Sequence, residues 1–404
     1  MAPGVSVQAV KFNHDPHGHN CDALNIRKNA STSVVVPEWR YGETTKPEQS
    51  PAAYAQKETK GNTITVKAKF KTGPGLIPWS KEIFPSAGKM PKVGIRALDP
   101  GRLRKNVLGE VAETVVAPGD IDRDGFFTLP LTNVRLWDVG VGIYTVTWRW
   151  QIRPAKSAAW QDVGVTSHRI YVLLEAPRGP WQQMPHDAAN LQLPWTEVLD
   201  YSCHWAAGST SRDAATGKVA ESIFSLGPAL LTYDCPGGGG TRYTDGALFV
   251  GGVFYCGEFL ERLAGGLGLG QYVNCTDCAT FLTTFANILG CDLSEMVLGY
   301  SFALNEMIAI GSADFSLPCG FWPSFYYHEV AWQGSCDNEG MVSDACLEVD
   351  GDADPATPPH TALLPVALRF GATGELGYRD RLSAPPGRPN TIPQCGLGQR
   401  RSVI

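Results

Sequence analysis

Asn274-Cys275-Thr276-Asp277-Cys278-Ala279-Thr280-Phe281-Leu282-Thr283-Thr284-Phe285-Ala286-Asn287-Ile288-Leu289-Gly290 reads as one helix with a cysteine at its start. Cys278, Leu282, Phe285, Ala286 and Leu289 recur at helical spacing, and Cys275 falls on the same stripe one turn earlier, so its side chain faces whatever the helix packs against. Asn274 is a suitable N-cap, Asp277 places a negative charge in the first turn, and Gly290 closes the segment. A thiol in the first turn lies near unpaired backbone N–H groups and the positive end of the macrodipole, both of which favour thiolate over thiol. Position alone leaves two readings, a reactive cysteine or a buried structural thiol.

The rest of the chain narrows the context. Its 404 residues are long for one core and comfortable for two domains. Hydrophobic residues make up 43% and charged residues 18%, and the 44 glycines and 29 prolines favour a β-rich protein with many turns. The formal net charge is -6, with no Lys/Arg cluster interleaved with aromatics, so nucleic acid is not an expected partner. No uninterrupted apolar run reaches the ~18 residues of a spanning helix, and Met1-Ala2-Pro3-Gly4-Val5-Ser6 lacks the charged-then-apolar pattern of a signal. The expectation is a soluble, cytoplasmic protein without membrane contact. Eleven cysteines spread from Cys21 to Cys395 are too sparse for a small disulfide framework and are expected to be reduced, mostly buried thiols.

Residues 1–176 hold several strand-like runs and no long helix. Thr63 to Phe70 alternates apolar and polar side chains, as does Tyr144 to Ile152, and Ile170 to Leu174 is a further apolar strand. With turn formers between them, these runs predict an all-β sandwich. Two stretches here resemble metal sites. His14, His17, His19 and Cys21 lie within eight residues, although their spacing matches none of the common zinc patterns, and a polar loop is the competing reading. Asp120, Asp122 and Asp124 open like a calcium loop, yet Leu131 stands at the twelfth position where a bidentate Glu belongs, which favours an Asp-rich turn. Neither is assigned a metal, and no cofactor is expected.

Ala176-Pro177-Arg178-Gly179-Pro180 begins a linker over 177–190, and a second domain is expected over 191–404. A helix can start near Pro194-Trp195-Thr196, and Phe254 to Leu263 is also helical. Gly237 to Gly240 form a glycine loop that lacks the Lys-Ser/Thr of a phosphate loop. Beyond the Cys275 segment, Phe325 to Trp332 is β-favouring, Gly334 to Gly340 is turn-rich, and Met341 to Val349 follows as a second run. If Gln333 pairs with Met341, Asp344 falls across from Val330, one diagonal step from His328. A thiol, an imidazole and a carboxylate are thus available for nucleophilic catalysis, in which a base takes the proton of sulfur and a third group orients the base.

This pattern resembles the transglutaminase-like superfamily of papain-fold cysteine enzymes over roughly residues 190–350. In that family a Cys opens a helix with Asp two residues on, Ala four on and a Leu-Gly pair at its end, as Cys275, Asp277, Ala279, Leu289 and Gly290 stand here. The family's His follows on a strand and its Asp on the next, in a hydrophobic-x-Asp-Ala context like Val342-Ser343-Asp344-Ala345. The resemblance implies an α+β catalytic domain, a helix packed on an antiparallel sheet, behind the β-sandwich. It makes Cys275 the nucleophile, His328 the base and acid, and Asp344 the orienting carboxylate, acting on protein or peptide amides through a thioester. Val330 holds the place where a Trp commonly follows the family's His, with Trp332 two further on, and the oxyanion partner is open among Gln271, Tyr272 and Trp205.

Each residue also has a plainer reading. Cys278 belongs to the core stripe, against a redox or zinc pair with Cys275. His328 on an apolar strand could be a core histidine, and Asp350 competes with Asp344; the run Asp350, Asp352, Asp354 otherwise reads as a solvated turn. The prolines after Ala356 predict one more strand and an ordered arm. Against the enzyme stands a catalytically silent binding or assembly protein that uses the same fold, with the β domain as its interaction surface.

Overall fold

In the computed structural model, the described residues are 5–12, 23–31, 34–35, 37–56, 64–72, 77–78, 92–101, 106–133, 136, 138–153, 159–181, 192–245, 248 and 250–404. The chain is α+β and richer in strand than in helix. It divides into two compact units, the first running through residue 176 and the second occupying Pro194–Ile404, with a short piece of each inside the other's range.

The first unit holds two five-stranded sheets. One runs in the order Phe127–Pro130, Thr65–Thr72, Ser6–Lys11, Glu38–Arg40, with Ile77–Pro78 beside Thr65–Thr72, and the other in the order Ala52–Ala55, Gln161–Leu173, Gly142–Arg153, Val93–Leu98, Val111–Val116. The alternation read in Thr63 to Phe70 is physical: Val66, Ala68 and Phe70 are buried while Lys67 and Lys69 are not. Their side chains share one apolar cluster with Val146, Trp148 and Trp150 of the other sheet. Both indoles are satisfied, Trp148 Nε1 donating to the Gly109 carbonyl and Trp150 Nε1 to Thr166 Oγ1, each at 2.9 Å. Asp122 serves a turn: its Oδ1 accepts from the Asp124 and Phe126 N–H groups, and its Oδ2 takes Lys67 Nζ at 2.8 Å. A carboxylate so committed to a lysine is a poor calcium ligand. His14, His17, His19 and Cys21 lie outside the described residues.

The second unit contains helices α1 (Thr196–Trp205), α2 (Arg212–Phe224), α3 (Cys256–Leu263), α4 (Cys275–Asn287) and α5 (Tyr378–Leu382). Its main sheet is antiparallel, in the order Ser294–Leu298, His328–Gln333, Met341–Ser343, Leu368–Arg369. Helix α4 packs against the first two strands and against α1 and α2. Every residue of α4 is buried, not only its apolar stripe. Its polar side chains therefore need internal partners: Asn287 Nδ2 donates to the Gly179 and Leu293 carbonyls, and Thr280 Oγ1 accepts from Arg401.

Two expectations change here. The stretch that starts at Pro177 is not a free tether at its beginning, because Arg178 N–H donates to the Asn287 carbonyl and Trp181 Nε1 to the Thr284 carbonyl, docking it on the end of α4. The thiols are not all reduced: Cys235–Cys319 and Cys336–Cys395 are disulfides, joining loops far apart in sequence, whereas Cys203, Cys256, Cys275, Cys278, Cys291 and Cys346 are free and buried. The arm expected after Ala356 is ordered, and Arg401 belongs to the core. It is fully buried, forked on Glu329 at 2.7 and 3.2 Å, so the C-terminal arm is tied to the strand that carries His328. No helix among the described residues is long and apolar enough to cross a membrane.

Candidate active site

The start of α4 is built by a reciprocal cap. Asn274 Oδ1 accepts the Asp277 N–H at 3.1 Å while Asp277 Oδ2 accepts the Asn274 N–H at 3.3 Å. The same buried carboxylate takes the N–H groups of Arg242 and Tyr243 and the hydroxyl of Thr244. Burial pushes the Asp277 carboxyl up to about 6, against the pull of these four donors. Asp277 is thus a structural clamp that fixes the residues after the glycine loop to the helix end. Asn274 Nδ2 donates to the Gly239 carbonyl at 2.6 Å, so both faces of the cap are used to seat Cys275.

The hairpin brings up the other two groups. Gln333 pairs with Met341, Trp332 with Val342 and Ala331 with Ser343, the register that the turn composition anticipates. His328 Nε2 lies 2.9 Å from Asp344 Oδ2, with both side chains buried. Asp344 Oδ2 also accepts the Tyr378 hydroxyl at 2.7 Å, and its Oδ1 takes the N–H groups of Cys346 and Leu347 at 2.7 and 3.3 Å. That leaves His328 Nδ1 without a hydrogen-bond partner among the described residues, with Cys275 near enough to add to the pull on the ring's proton. Burial works to deprotonate His328, but the Asp344 carboxylate and then Cys275 outweigh it and raise its pKa to about 10. The balance favours the imidazolium at neutral pH.

Its ring plane is held as well. Phe325 and Tyr378 lie nearly parallel to it, with centroids at 5.6 and 6.5 Å. A cavity of about 240 Å³ reaches Cys275, walled by Gly238 and Gly239 and by five aromatic residues, Tyr233, Trp322, Phe325, Tyr326 and Tyr327. Cys275 itself is 4% exposed. Burial raises the Tyr233 hydroxyl's pKa well above its usual value, and Cys275 is the next cause, which puts that hydroxyl in the sulfur's electrostatic neighbourhood. Tyr327 is raised too, first by burial and then by Cys275, and its hydroxyl is 3.0 Å from Thr276 Oγ1.

Cys275, His328 and Asp344 are therefore brought together, and the competitor Asp350 is not. Asp350 is fully buried, not a solvated turn, because its Oδ2 holds His360 Nδ1 at 2.7 Å. Cys278 neighbours Cys346 in the core, where burial raises both thiols' pKa values; it forms no disulfide, and no cluster of three or more metal-ligating side chains exists among the described residues. Of the expected oxyanion partners, none lines the cavity: Gln271 is exposed, Tyr272 sits on the short strand before α4, and Trp205 stacks on Phe285 at 5.1 Å toward the helix's other end. Tyr233 and Tyr378, which sequence reasoning missed, take the positions around the sulfur and behind the carboxylate. Tyr233 carries one readable sign, its place just before the glycine loop; its parallel pairing with Tyr272–Val273 shows only in the structure. Compared with known proteins, the sequence matches no family model and no curated relative.

Proposed function

We propose that the second unit is a transglutaminase-like, papain-fold cysteine acyltransferase or hydrolase, preceded by a β-sandwich, that acts on protein or peptide amides without a cofactor. One observation carries this reading: the two nitrogens of a single buried imidazole are divided, Nε2 to a multiply bonded carboxylate and Nδ1 left for a sulfur at a helix N-terminus. An open nitrogen alone does not mark a site, since buried His168 also leaves Nδ1 unpartnered among the described residues; the carboxylate behind Nε2 and the cysteine beside the ring set His328 apart. Cys275 Sγ attacks the carbonyl carbon of a Gln side chain or a peptide bond, and protonated His328 hands its proton to the departing amine, leaving a thioester. Acylation removes the sulfur's share in holding the His328 proton, so the neutral ring can then take a proton from the second nucleophile, a Lys amine or water. The Cys275 backbone N–H in the first helical turn and the Tyr233 hydroxyl are the donors available to the oxyanion. Asp344 fixes the tautomer. The two disulfides support an oxidising working environment rather than the cytoplasm.

The test is limiting iodoacetamide followed by mass-spectrometric mapping, on wild type and His328→Ala at pH 6. Cys275 is expected to be labelled first in wild type, and to lose that priority in the variant. Slow, uniform labelling of the free thiols in wild type would overturn the reading.

A further inference from the structure

The cavity beside Cys275 has a composition that says what enters it. None of its lining residues carries a charge, and half of them are aromatic. A charged group placed there would lose part of its hydration and meet no opposite charge among the lining residues, whereas a ring would meet the faces and edges of other rings. Trp322 stands edge-on to Tyr233 at 6.3 Å, and an aromatic ledge continues outside: Tyr326 is 64% exposed, with Tyr300 packed on it at 5.4 Å. At about 240 Å³ the space is smaller than the ~300–1,000 Å³ of sites that enclose a whole drug-sized ligand, which suits one side chain and not a folded segment.

The walls are built rather than incidental. Asp234 curls the glycine loop around its carboxylate, Oδ1 accepting the Gly237 N–H at 2.7 Å and Oδ2 the Gly240 N–H at 3.1 Å. A Cβ at Gly237 would come within 2.2 Å of that carboxylate and displace it, and Gly239 has φ +80°, where other residues are strained. The Cys235–Cys319 disulfide then staples the start of this loop to the segment that carries Trp322. Two loops distant in sequence are thereby held together as walls of one slot.

We infer that this slot is the acyl-group pocket and that it selects uncharged, aromatic-bearing acyl donors, with Trp322 and Tyr326 as the residues that set the preference. This rests on the proposed reading of Cys275 as the nucleophile. The test uses p-nitrophenyl esters, which need neither an amide nor a particular acceptor: the acetate, the 3-phenylpropanoate and the hemisuccinate. Cys275 Sγ forms the thioester bond as the bond from acyl carbon to aryl oxygen breaks, nitrophenolate leaving with the electron pair; water then releases the carboxylic acid and restores the thiol. Acylation rate constants are read from the nitrophenolate burst and divided by those for a free thiol with the same ester. The corrected constant for 3-phenylpropanoate is expected to exceed that for hemisuccinate by about tenfold or more. In Trp322→Ala and Tyr326→Ala the ratio should fall toward one. Equal constants in wild type, a preference for hemisuccinate, or a ratio that neither variant moves would overturn the inference while leaving Cys275 the nucleophile. Bursts that persist unchanged in Cys275→Ala, or the absence of any burst with all three esters, would overturn the nucleophile and the pocket together.

Discussion

The second unit contains two Asp–His pairs of nearly equal length, and their difference is instructive. His328 Nε2 meets Asp344 at 2.9 Å and His360 Nδ1 meets Asp350 at 2.7 Å. His360 spends its other nitrogen on Glu306 Oε2 at 3.2 Å and lies against Phe315, with centroids at 4.9 Å. His328 spends nothing on its other side except what Cys275 offers. The first arrangement is a closed bridge that pins the residues between 350 and 361. The second is open at one nitrogen, and only an open imidazole can pass a proton to a reacting atom. Distance between carboxylate and ring does not separate the two cases, but the fate of the second nitrogen does.

Replacing each histidine by glutamine is the sharpest way to break that contrast. His328→Gln should lower the acylation of Cys275 by p-nitrophenyl acetate by about 10²–10⁴-fold, the usual worth of a positioned proton carrier. His360→Gln should change it by no more than about twofold, as expected of a residue outside the reacting set. Comparable losses in both variants would abolish the distinction. A second measurement follows the charge itself. His328 has a folded pKa raised to about 10, so the stability it contributes is full below its ordinary value of 6.5 and fades as pH rises through about 10. The urea midpoint of wild type should therefore fall between about pH 6.5 and 10 by an amount missing from His328→Gln. A parallel decline in both proteins would show that the ring is not the charged partner of Asp344.

How much of this was legible in the chain differs by element. The cap of α4 is local chemistry, so Asn274 and Asp277 announce the helix start, and the hairpin register follows from where its turn formers sit. Helix α2 gave no such sign, because its buried face is built from Ala215, Thr216, Val219, Ala220 and Ile223, small residues that leave little apolar contrast around the helix. Tyr378 lies 34 residues beyond Asp344, in a stretch readable only as an arm, and spacing carries no information about which distant loop returns to a carboxylate. The disulfides are hidden for the same reason, since composition counts cysteines but does not pair them. Asp350 looked solvated because nothing nearby in sequence shows that His360 folds back to cover it.

A smaller effect is expected where the open pair is merely braced. Tyr378→Phe removes one donor to Asp344 Oδ2 and keeps the ring that lies over His328. Asp344 retains three other donors, the imidazole and the Cys346 and Leu347 N–H groups, so the loss of stability should be about 1–2 kcal/mol. The acylation rate should fall by about threefold to tenfold through looser positioning of His328. A variant with wild-type rate and wild-type urea midpoint would mean that the tyrosine hydroxyl braces nothing.

The smallest effect belongs to the closed pair, and it should be seen in dynamics instead of chemistry. The hydrogen bond to Asp350 raises the pKa of His360, with burial opposing and Glu306 adding. Burial pushes the Asp350 carboxyl up, but the Thr361 N–H and His360 outweigh it and hold it below its usual value. The raised histidine contributes fully below its ordinary value and is lost as pH rises through the folded one; the lowered carboxylate contributes above its ordinary value and is lost as pH falls through the folded one. The bridge is therefore strongest at mildly acidic pH, between the two limits. Thr361 N–H, which donates to Asp350 Oδ1 at 2.8 Å, reports on it directly. Its hydrogen exchange should quicken by about threefold to tenfold in His360→Gln near pH 6 and by less as pH rises through the raised folded value, where the wild-type bridge loses its charge. Exchange that ignored both the substitution and the pH would make His360 an ornament of the loop, and the fate of the second nitrogen would no longer explain why one pair closes a loop while the other faces a sulfur.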